Sequence, residues 1–495
     1  MSRWKRTSQT AMLLASIAVS ISLLPSLGGC VAEDSALGRL VEALVGGSSL
    51  PADARHHVAR FRVVHDEFAS TADDTQIKHF SDAFGRVRAD YVREVADAAL
   101  IDAAIAGVRG LDAEPGTLPP GEVIEAGLDG LMGALDPHSS YLNPDDLRET
   151  RISISGEFGG LGIEVTMEDE LVKIIAPIED TPAYRAGLKS GDLITHLNGD
   201  SVRGMTLMQA VKRMRGRSGT DIRLSINRIG FDSFDVTITR AVIMTRPVRW
   251  SVEGTVGYIR VAHFTERMED GLDDAVEGIR ERLGDRLSGV VLDLRNNPGG
   301  PLDQSLILAD AFLENGRIVS MRGRDRGDEQ VVWAQSGDVA EGLPVVVLIN
   351  GGSASASEIV AGALQDHGRA TIMGMRSFGK GSVQTILPLP VEGALRLTTS
   401  LYYAPSGRTI QAAGVTPDIV VTAENAPRFS READNPRALH GDAATLSAAT
   451  RANLDESDCP PAGEKNDRLL GCAITFLRAG STEDFLAALG HSQTM

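Results

Sequence analysis

The chain has 495 residues, of which 42% are hydrophobic, so it can fill several cores, and about three domains are expected. Its formal net charge of −18 argues against electrostatic binding of nucleic acid over a broad surface, because phosphate binding needs clustered Lys and Arg to displace counterions. We therefore expect no nucleic-acid partner.

The first thirty residues have the pattern of an export signal. A basic start with Arg3 and Lys5 is followed by an apolar stretch over residues 11–27 and then by Cys30. The run L-G-G-C ending at Cys30 resembles a bacterial lipobox, in which this cysteine becomes the lipidated first residue. A cleaved signal with an unmodified cysteine and an uncleaved anchor are the alternatives. Each predicts export to the bacterial periplasm or cell envelope, and we expect membrane attachment through the N-terminal anchor or its lipid.

Two further cysteines, Cys459 and Cys472, lie 13 residues apart near the other end of the chain. An oxidising compartment permits a disulfide between them, and two free thiols are the alternative.

Residues 31–150 show helical periodicity and predict an N-terminal helical domain. Apolar residues recur at spacings of three to four, as in the series Phe80, Phe84, Val87, Tyr91 and Val95. The run Asp136-Pro137-His138-Ser139-Ser140 then breaks the pattern, because proline cannot continue a helix. We expect His138 to make local hydrogen bonds in that turn rather than to take part in catalysis.

From 151 to 241 the pattern changes to short strands with two helices. Gly160, Leu161, Gly162 and Ile163 open this β-rich domain. Backbone N–H groups of such a glycine loop can converge on one carboxylate. The loop, the run T-P-A-Y-R-A-G-L-K-S-G-D-L-I at 181–194 and the N-G turn at 198–199 resemble a PDZ domain. The resemblance implies a groove that binds a peptide as an added strand, with its terminal carboxylate on the four loop residues.

Residues 242–424 alternate strands and helices and predict an α/β core. The apolar strand 345–349 runs into Asn350-Gly351-Gly352 and then Ser355, directly before a helix. A serine there can project its hydroxyl beside backbone N–H groups that stabilise an oxyanion. This position makes Ser355 a candidate nucleophile. The alternative is that the Ser-Ala run only caps the helix and allows close packing.

A nucleophilic serine needs a base, and two are available. His367, preceded by Asp366, falls at the far end of the helix that begins near Ser355. It is about 15 Å away along the helix axis, which is too far for a base that must contact Ser355. Lys380 lies in F-G-K-G after one further strand, so a returning loop can bring its amine to Ser355. Lys380 must then be largely neutral, which burial can achieve by lowering its pKa.

Four more motifs occur, in chain order: D-L-R-N-N-P-G-G at 293–300, S-A-S-A-S-E at 353–358, F-G-K-G-S-V-Q at 378–384, and Y-Y-A-P-S-G-R-T-I with G-V-T-P-D at 402–418. With the PDZ motifs they resemble the carboxyl-terminal processing (tail-specific) proteases over about residues 79–424. The resemblance implies a multidomain α/β protein with a helical N-terminal domain, a PDZ domain and a Ser-Lys peptidase core of ClpP/crotonase-like fold.

What the resemblance implies for the site is a serine endopeptidase. Ser355 is its nucleophile, Lys380 its general base, and Gln384 orients the lysine. The oxyanion donors are the backbone N–H groups of Ala356 and of either Gly299 or Gly300. No cofactor or metal is implied, and the sequence has no H-E-x-x-H motif. Substrates are proteins or peptides with free C-terminal tails.

Two other functions compete with this one: a non-catalytic PDZ adaptor, and an esterase-type hydrolase that uses Ser355 with His367. Against the esterase hypothesis, the sequence around Ser355 lacks the G-x-S-x-G motif of such hydrolases. Residues 425–495 are expected to form a linker, to about 468, and a C-terminal helical tail that covers its own domain or mediates assembly as a homo-oligomer or with an adaptor protein.

Overall fold

The computed structural model describes residues 50–178, 180–244, 246–325, 327, 329–423, 429–441, 452–464 and 466–490. The predicted export signal over 1–30, with Cys30, lies outside these residues. None of the helices in the described ranges is both long and apolar enough to cross a membrane.

The helical N-terminal domain predicted from periodicity is present. Its helices are α1 (Ala52–Phe68), α2 (Asp74–Asp90), α3 (Asp97–Arg109) and α4 (Pro120–Gly133). The rings of Phe61 and Phe80 stack with their centroids 3.7 Å apart. Gly107 and Gly130 let α3 and α4 approach closely, since a Cβ on Gly107 would lie 2.4 Å from the Ala126 carbonyl oxygen. The apolar face of the domain packs on part of the peptidase core that contains Leu395 and Leu397.

The second domain is β-rich and has the architecture expected of a PDZ domain. Two elements precede the domain: β1 (Ser140–Leu142), which joins a sheet of the third domain, and α5 (Pro144–Ser155). The elements of the domain itself are β2 (Glu157–Gly160), β3 (Ile163–Glu168), β4 (Leu171–Pro177), α6 (Pro182–Arg185), β5 (Leu193–Leu197), β6 (Asp200–Ser201), α7 (Leu207–Met214), β7 (Asp221–Asn227), β8 (Phe234–Thr239) and β9 (Ala241–Met244). Its main sheet has the order β3-β4-β5-β7-β8, with β6 paired to β5. The second helix, α7, starts with a Thr206–Gln209 capping box.

The third domain is a layered α/β core. Its elements are β10 (Val248–Glu253), β11 (Val256–Val261), α8 (Met268–Leu283), β12 (Gly289–Asp293), α9 (Leu302–Asp310), β13 (Arg317–Arg322), β14 (Gln330–Trp333), β15 (Val345–Ile349), α10 (Ala356–Asp366), β16 (Ala370–Gly374), β17 (Ser382–Pro388), β18 (Ala394–Tyr403), β19 (Ile419–Thr422), β20 (Ala452–Asp455), α11 (Arg468–Ala479) and α12 (Thr482–Ala488).

Two sheets organise these elements. Among the described residues a seven-stranded sheet has the order β10-β11-β12-β15-β16-β19-β20 and is parallel except for β10. Helices α8, α9 and α10 cover one face, and α11 and α12 cover the other. Every residue of β12 and β15 is buried, as expected of parallel strands covered on both faces. The second sheet has the order β1-β18-β13-β14, with β17 paired to β18.

The structure differs from the predicted linker over 425–468. Ala452–Asp455 form β20, which pairs with β19 at the edge of the large sheet, and Glu432–Asp434 form a 3₁₀ turn. Only Leu454 of β20 is buried, so the strand has little apolar patterning for sequence analysis to detect. Residues 424–428 and 442–451 lie outside the described residues.

Candidate active site

Ser355 lies where β15 turns into α10. It caps the helix with φ +57°, a left-handed conformation that is uncommon for a residue with a Cβ and that clusters at functional sites. The two neighbouring serines have structural hydrogen bonds, from Ser353 Oγ to the Leu294 carbonyl (2.8 Å) and from Ser357 Oγ to the Asn297 carbonyl (2.9 Å). Both are fully buried, whereas Ser355 is only partly buried.

Glu358, one turn into α10, hydrogen-bonds both loops of the site, which are the turn at Ser355 and the loop over residues 377–380. Its Oε2 accepts the backbone N–H of Ser355 at 2.8 Å and that of Lys380 at 2.9 Å. Its Oε1 accepts the N–H of Gly379 at 2.7 Å and the Ser377 hydroxyl at 2.5 Å. The side chain is fully buried, and this burial raises its pKa to about 7 although the four donors act to lower it.

The loop before β17 carries Lys380, as the sequence predicted. The side chain is partly buried, and desolvation, followed by the nearby Arg396 guanidinium, holds the pKa of the Lys380 amine below its ordinary value of 10.5. The carboxyl groups of Glu432, Asp136 and Glu358 act in the opposite direction. A depressed pKa increases the neutral fraction that can accept a proton.

Tyr402 of β18 supports the loop that carries Lys380. Its phenol donates to the Lys380 carbonyl oxygen, and the Ser355 hydroxyl acts to lower the pKa of the phenol. The ring is almost completely buried. Burial, and then the negative field of Glu358, hold the pKa of this phenol well above its ordinary value, so the hydroxyl remains available as a donor.

Sequence reasoning gave no role to Glu358 or Tyr402. For Glu358 a local signal was available, because Ser355 and Glu358 have the Ser-x-x-Glu spacing of a capping box. For Tyr402 no local signal exists, since its contacts depend on how β18 lies against the Lys380 loop.

Gln384 does not contact Lys380 in the described hydrogen bonds. Its Nε2 donates to Ser382 Oγ at 2.9 Å and to Thr398 Oγ1 at 3.3 Å. The pairing of β17 with β18 is irregular between Val383 and Gln384.

Of the two glycines predicted as oxyanion donors, Gly299 lies against Ser355. A Cβ on Gly299 would lie 2.9 Å from Ser355 Cβ and 3.1 Å from the Ala356 nitrogen. Gly299 already donates its N–H to Asn297 Oδ1 at 2.9 Å. Gly300 has φ +150°, and a Cβ there would meet the Phe264 carbonyl oxygen at 2.2 Å. Both positions therefore require glycine.

The competing base, His367, lies at the opposite end of α10 from Ser355. Its Nε2 is 2.7 Å from the Arg317 carbonyl oxygen. Asp366 accepts the Ser406 N–H at 2.9 Å and pairs with Arg408 at 3.0 Å. These contacts occupy both residues away from the serine, so the geometry gives no support to a Ser355–His367 arrangement.

In the glycine loop of the second domain, the carbonyl groups of Leu161 and Gly162 accept hydrogen bonds from other residues of the domain. The Leu161 carbonyl accepts the Ala183 N–H at 2.9 Å, and the Gly162 carbonyl accepts the Ile178 N–H at 2.9 Å and the Thr181 hydroxyl at 3.1 Å. Gly162 has φ +79°. Gly160 ends β2 and Ile163 begins β3, which is an edge strand of the main sheet. An edge strand next to a glycine loop is what peptide addition requires.

Cys459 and Cys472 form a disulfide in the structure, and both are buried against α11 and the large sheet.

Comparison with known proteins gives two family matches, Peptidase family S41 over residues 255–421 and PDZ domain over residues 151–227. The chain is 51% identical over 349 residues to the "Carboxy-terminal-processing protease" of Bartonella bacilliformis, which is 70% of this chain and 75% of that protein. It is 34% identical over 299 residues to a "Probable CtpA-like serine protease" of Staphylococcus aureus, which is 60% of each. The solved photosystem II D1 C-terminal processing protease is 27% identical, with a TM-score of 0.44 over 70% of this chain and 93% of that one.

Proposed function

The chain belongs to the carboxy-terminal-processing proteases of peptidase family S41, and from this membership we propose that it is an endopeptidase with a Ser355–Lys380 dyad. One observation carries the proposal: a single oxygen of Glu358 accepts the backbone N–H groups of both Ser355 and Lys380. The two residues, 25 positions apart in the sequence, thus belong to one buried hydrogen-bonded unit, and the Lys380 amine has the lowered pKa of a base.

The reaction begins with neutral Lys380. Its amine removes the Ser355 hydroxyl proton while Ser355 Oγ attacks the carbonyl carbon of the scissile peptide bond. The tetrahedral intermediate collapses as the C–N bond breaks, and the Lys380 ammonium gives its proton to the leaving amine. An ester between Ser355 and the N-terminal part of the substrate remains. Lys380 then takes a proton from water, the hydroxide attacks the ester, and the proton returns to Ser355 Oγ.

Backbone N–H groups stabilise the oxyanion in this mechanism. Ala356 supplies one, because it is the first residue of α10 and follows the nucleophile. Of the two glycines we propose Gly300 as the second donor, because the N–H of Gly299 is engaged by Asn297.

The PDZ domain captures the substrate tail in the proposed function. The free carboxylate binds to the N–H groups of the loop from Gly160 to Ile163, and the tail adds as a strand beside β3. Capture raises the local concentration of the substrate at the dyad, so proteins with accessible C-termini are the preferred substrates.

The test is cleavage of an unfolded protein that ends in a free apolar tail. Full-length protein should cleave it, and Ser355→Ala and Lys380→Ala should each reduce kcat by at least 1,000-fold, as expected when one member of a catalytic unit is lost. The exposed Ser190 and Lys78 provide matched controls, and their alanine variants should retain activity. Undiminished cleavage by Ser355→Ala would refute the assignment of the nucleophile.

We further propose that the protein is exported and held at the cell envelope by lipid on Cys30. The support is the sequence pattern alone, a basic start and an apolar run that ends in L-G-G-C. Mass spectrometry of the mature N-terminus tests it: a diacylglyceryl cysteine at position 30 is expected, and a free thiol at that cysteine would contradict lipidation.

A further inference from the structure

The turn from Asp136 to Ser140, which ends the helical domain, has a buried carboxylate at its centre. Asp136 is 2% exposed, and its Oδ1 accepts the backbone N–H groups of His138 at 2.8 Å and Ser139 at 3.1 Å. Its Oδ2 accepts the Ser139 hydroxyl at 2.7 Å. These local bonds hold the carboxylate in a fixed position.

A third hydrogen bond to Oδ1 comes from the peptidase core. Thr398 of β18 donates its hydroxyl to Asp136 Oδ1 at 3.1 Å. A threonine hydroxyl has one proton, and a carboxylate only accepts. With that proton given to Asp136, Thr398 Oγ1 can serve Gln384 only as an acceptor.

This constraint fixes the orientation of the Gln384 carboxamide. Its NH₂ group faces Thr398 Oγ1 at 3.3 Å and Ser382 Oγ at 2.9 Å. A flipped carboxamide would keep a bond from Ser382 Oγ, which can donate, but would direct its carbonyl oxygen at Thr398 Oγ1, which has no proton left to donate. The carbonyl Oε1 of Gln384 is therefore turned away from Thr398 and is available to a donor elsewhere.

The general base lies nearby. The charged groups that act on the Lys380 amine are Arg396 of β18, Glu432 of the 3₁₀ turn, Asp136 before β1 and Glu358 of α10. Glu432 is itself bound to His138, with Oε2 2.8 Å from Nε2. The turn thus contributes Asp136, and through His138 also Glu432, to the surroundings of the amine.

We propose that Asp136 is a positioning residue for catalysis: acting through Thr398, it holds the Gln384 carboxamide so that Oε1 accepts a hydrogen bond from the Lys380 ammonium. This bond forms when Lys380 takes the Ser355 proton, and it stabilises the ammonium in the transition state. The inference rests on the proposed Ser355–Lys380 function. It gives the helical domain a part in the chemistry, because Asp136 lies outside the peptidase core.

The first test compares threonine variants in adjacent positions of β18. Thr398→Val removes the hydroxyl and should lower kcat about tenfold, the equivalent of one hydrogen bond, with KM little changed. Thr398→Ser keeps the hydroxyl and should restore kcat. Thr399→Val is the matched control, since Thr399 bonds the exposed Thr385 at 2.7 Å, and it should keep wild-type kcat.

The pH profile of kcat/KM separates positioning from general loosening of the core. If the carboxamide flips in Thr398→Val, its NH₂ group faces the amine, disfavours the ammonium and lowers the apparent pKa of the acid limb. Loosening admits water instead, which raises that pKa toward the ordinary value for lysine. Asp136→Asn is less informative, because it also removes a charge that raises the Lys380 pKa; Thr398→Val keeps that charge and is therefore the deciding variant.

Wild-type kcat in Thr398→Val, or an upward pKa shift that Thr398→Ser does not reverse, would overturn the inference. If Thr398→Val does not fold, Thr398→Ala, which also removes the hydroxyl and keeps the Asp136 charge, decides by the same two readouts. Ser355→Ala is assayed in parallel. Its loss of activity beside an unaffected Thr398→Val rejects only the role of Asp136, whereas its full activity rejects the proposed function itself.

Discussion

The Oε2 atom of Glu358 lies 2.9 Å from the backbone nitrogen of Lys380 and accepts its N–H. The same carboxylate accepts the N–H groups of Ser355 and Gly379 and the hydroxyl of Ser377. The four donors favour the carboxylate form, but burial outweighs them and raises the pKa of Glu358 to about 7. The carboxylate that accepts all four hydrogen bonds is therefore the form present above about pH 7.

Glu358→Gln should consequently impair catalysis. Its amide NH₂ group must face two donors, which displaces either the Ser355 or the Lys380 loop, and we expect kcat to fall at least tenfold, an effect of one to two lost hydrogen bonds. Steady-state cleavage of an unfolded protein measures this. Glu281→Gln, on the exposed face of α8, is the control, and equal activity of the two variants would contradict the role of Glu358.

The same residue gives a stability prediction. Its pKa is raised from 4.5 to about 7 in the folded state, principally by burial, so between those values the folded chain binds more protons than the unfolded chain. The contribution of Glu358 is fully present below about pH 4.5 and is lost as pH rises to about 7, by on the order of 3 kcal/mol. Calorimetry should therefore show a smaller fall in Tm from pH 5 to pH 8 for Glu358→Gln than for the wild type.

Lys380 has the opposite linkage. Its pKa is lowered in the folded state, first by burial and then by Arg396, so between that lowered value and 10.5 the unfolded chain binds the additional proton, and ionisation of Lys380 works against folding. Lys380→Met removes the free-energy cost of burying a charged amine and approximately keeps the length of the side chain. We expect an inactive protein with a higher Tm at pH 7 and a Tm difference that shrinks as pH rises. A Tm equal to or below the wild-type value at pH 7 would contradict this account of the lysine.

Tyr402→Phe tests the support that Tyr402 gives to the Lys380 loop. Loss of the phenol hydroxyl leaves the Lys380 carbonyl without this donor, and kcat should fall about tenfold with KM little changed. The variant should fold, because the ring still fills its buried position. Thr385→Val, on the exposed side of the β17–β18 pair, serves as the control for changes in this sheet.

Tail capture by the PDZ domain predicts a dependence on the terminal carboxylate. Amidation of the substrate C-terminus should raise KM at least tenfold, the loss of a charge-assisted hydrogen bond or more. Gly162→Ala should do the same to a free tail, since its Cβ would lie 2.2 Å from Thr181 Cβ. Gly204→Ala is the matched control, with φ +82° and no atom within 4 Å of its Cβ. Unchanged kcat/KM on amidation would reject capture.

Sequence patterns predicted the three-part fold because each part has its own periodicity. Helical spacing marked Phe80 and Phe84, both fully buried, and the apolar run 345–349 marked a strand covered on both faces. The edge strand β20 escaped detection, since pairing at a sheet edge depends on backbone hydrogen bonds rather than on apolar side chains.

The candidate site was predictable only in part. Ser355 and Lys380 could be selected because each lies in a short segment with a local reason for its conformation, a strand-to-helix turn and a loop flanked by glycines. The residues that support them could not be selected in the same way. Tyr402 and the chain from Asp136 through Thr398 to Gln384 act across sequence separations of 22 and 262 residues at their longest contacts, which only the folded chain reveals.

The central claim is that Ser355 forms an ester with the substrate, and trapping that ester is its most direct test. A substrate with a free apolar tail is mixed with the full-length protein, quenched in acid during the first turnovers, and mapped by peptide mass spectrometry. The mechanism predicts an acyl group on the peptide that contains Ser355, and no acyl group in Ser355→Ala. An acyl group on another residue, or continued cleavage by Ser355→Ala, would contradict it.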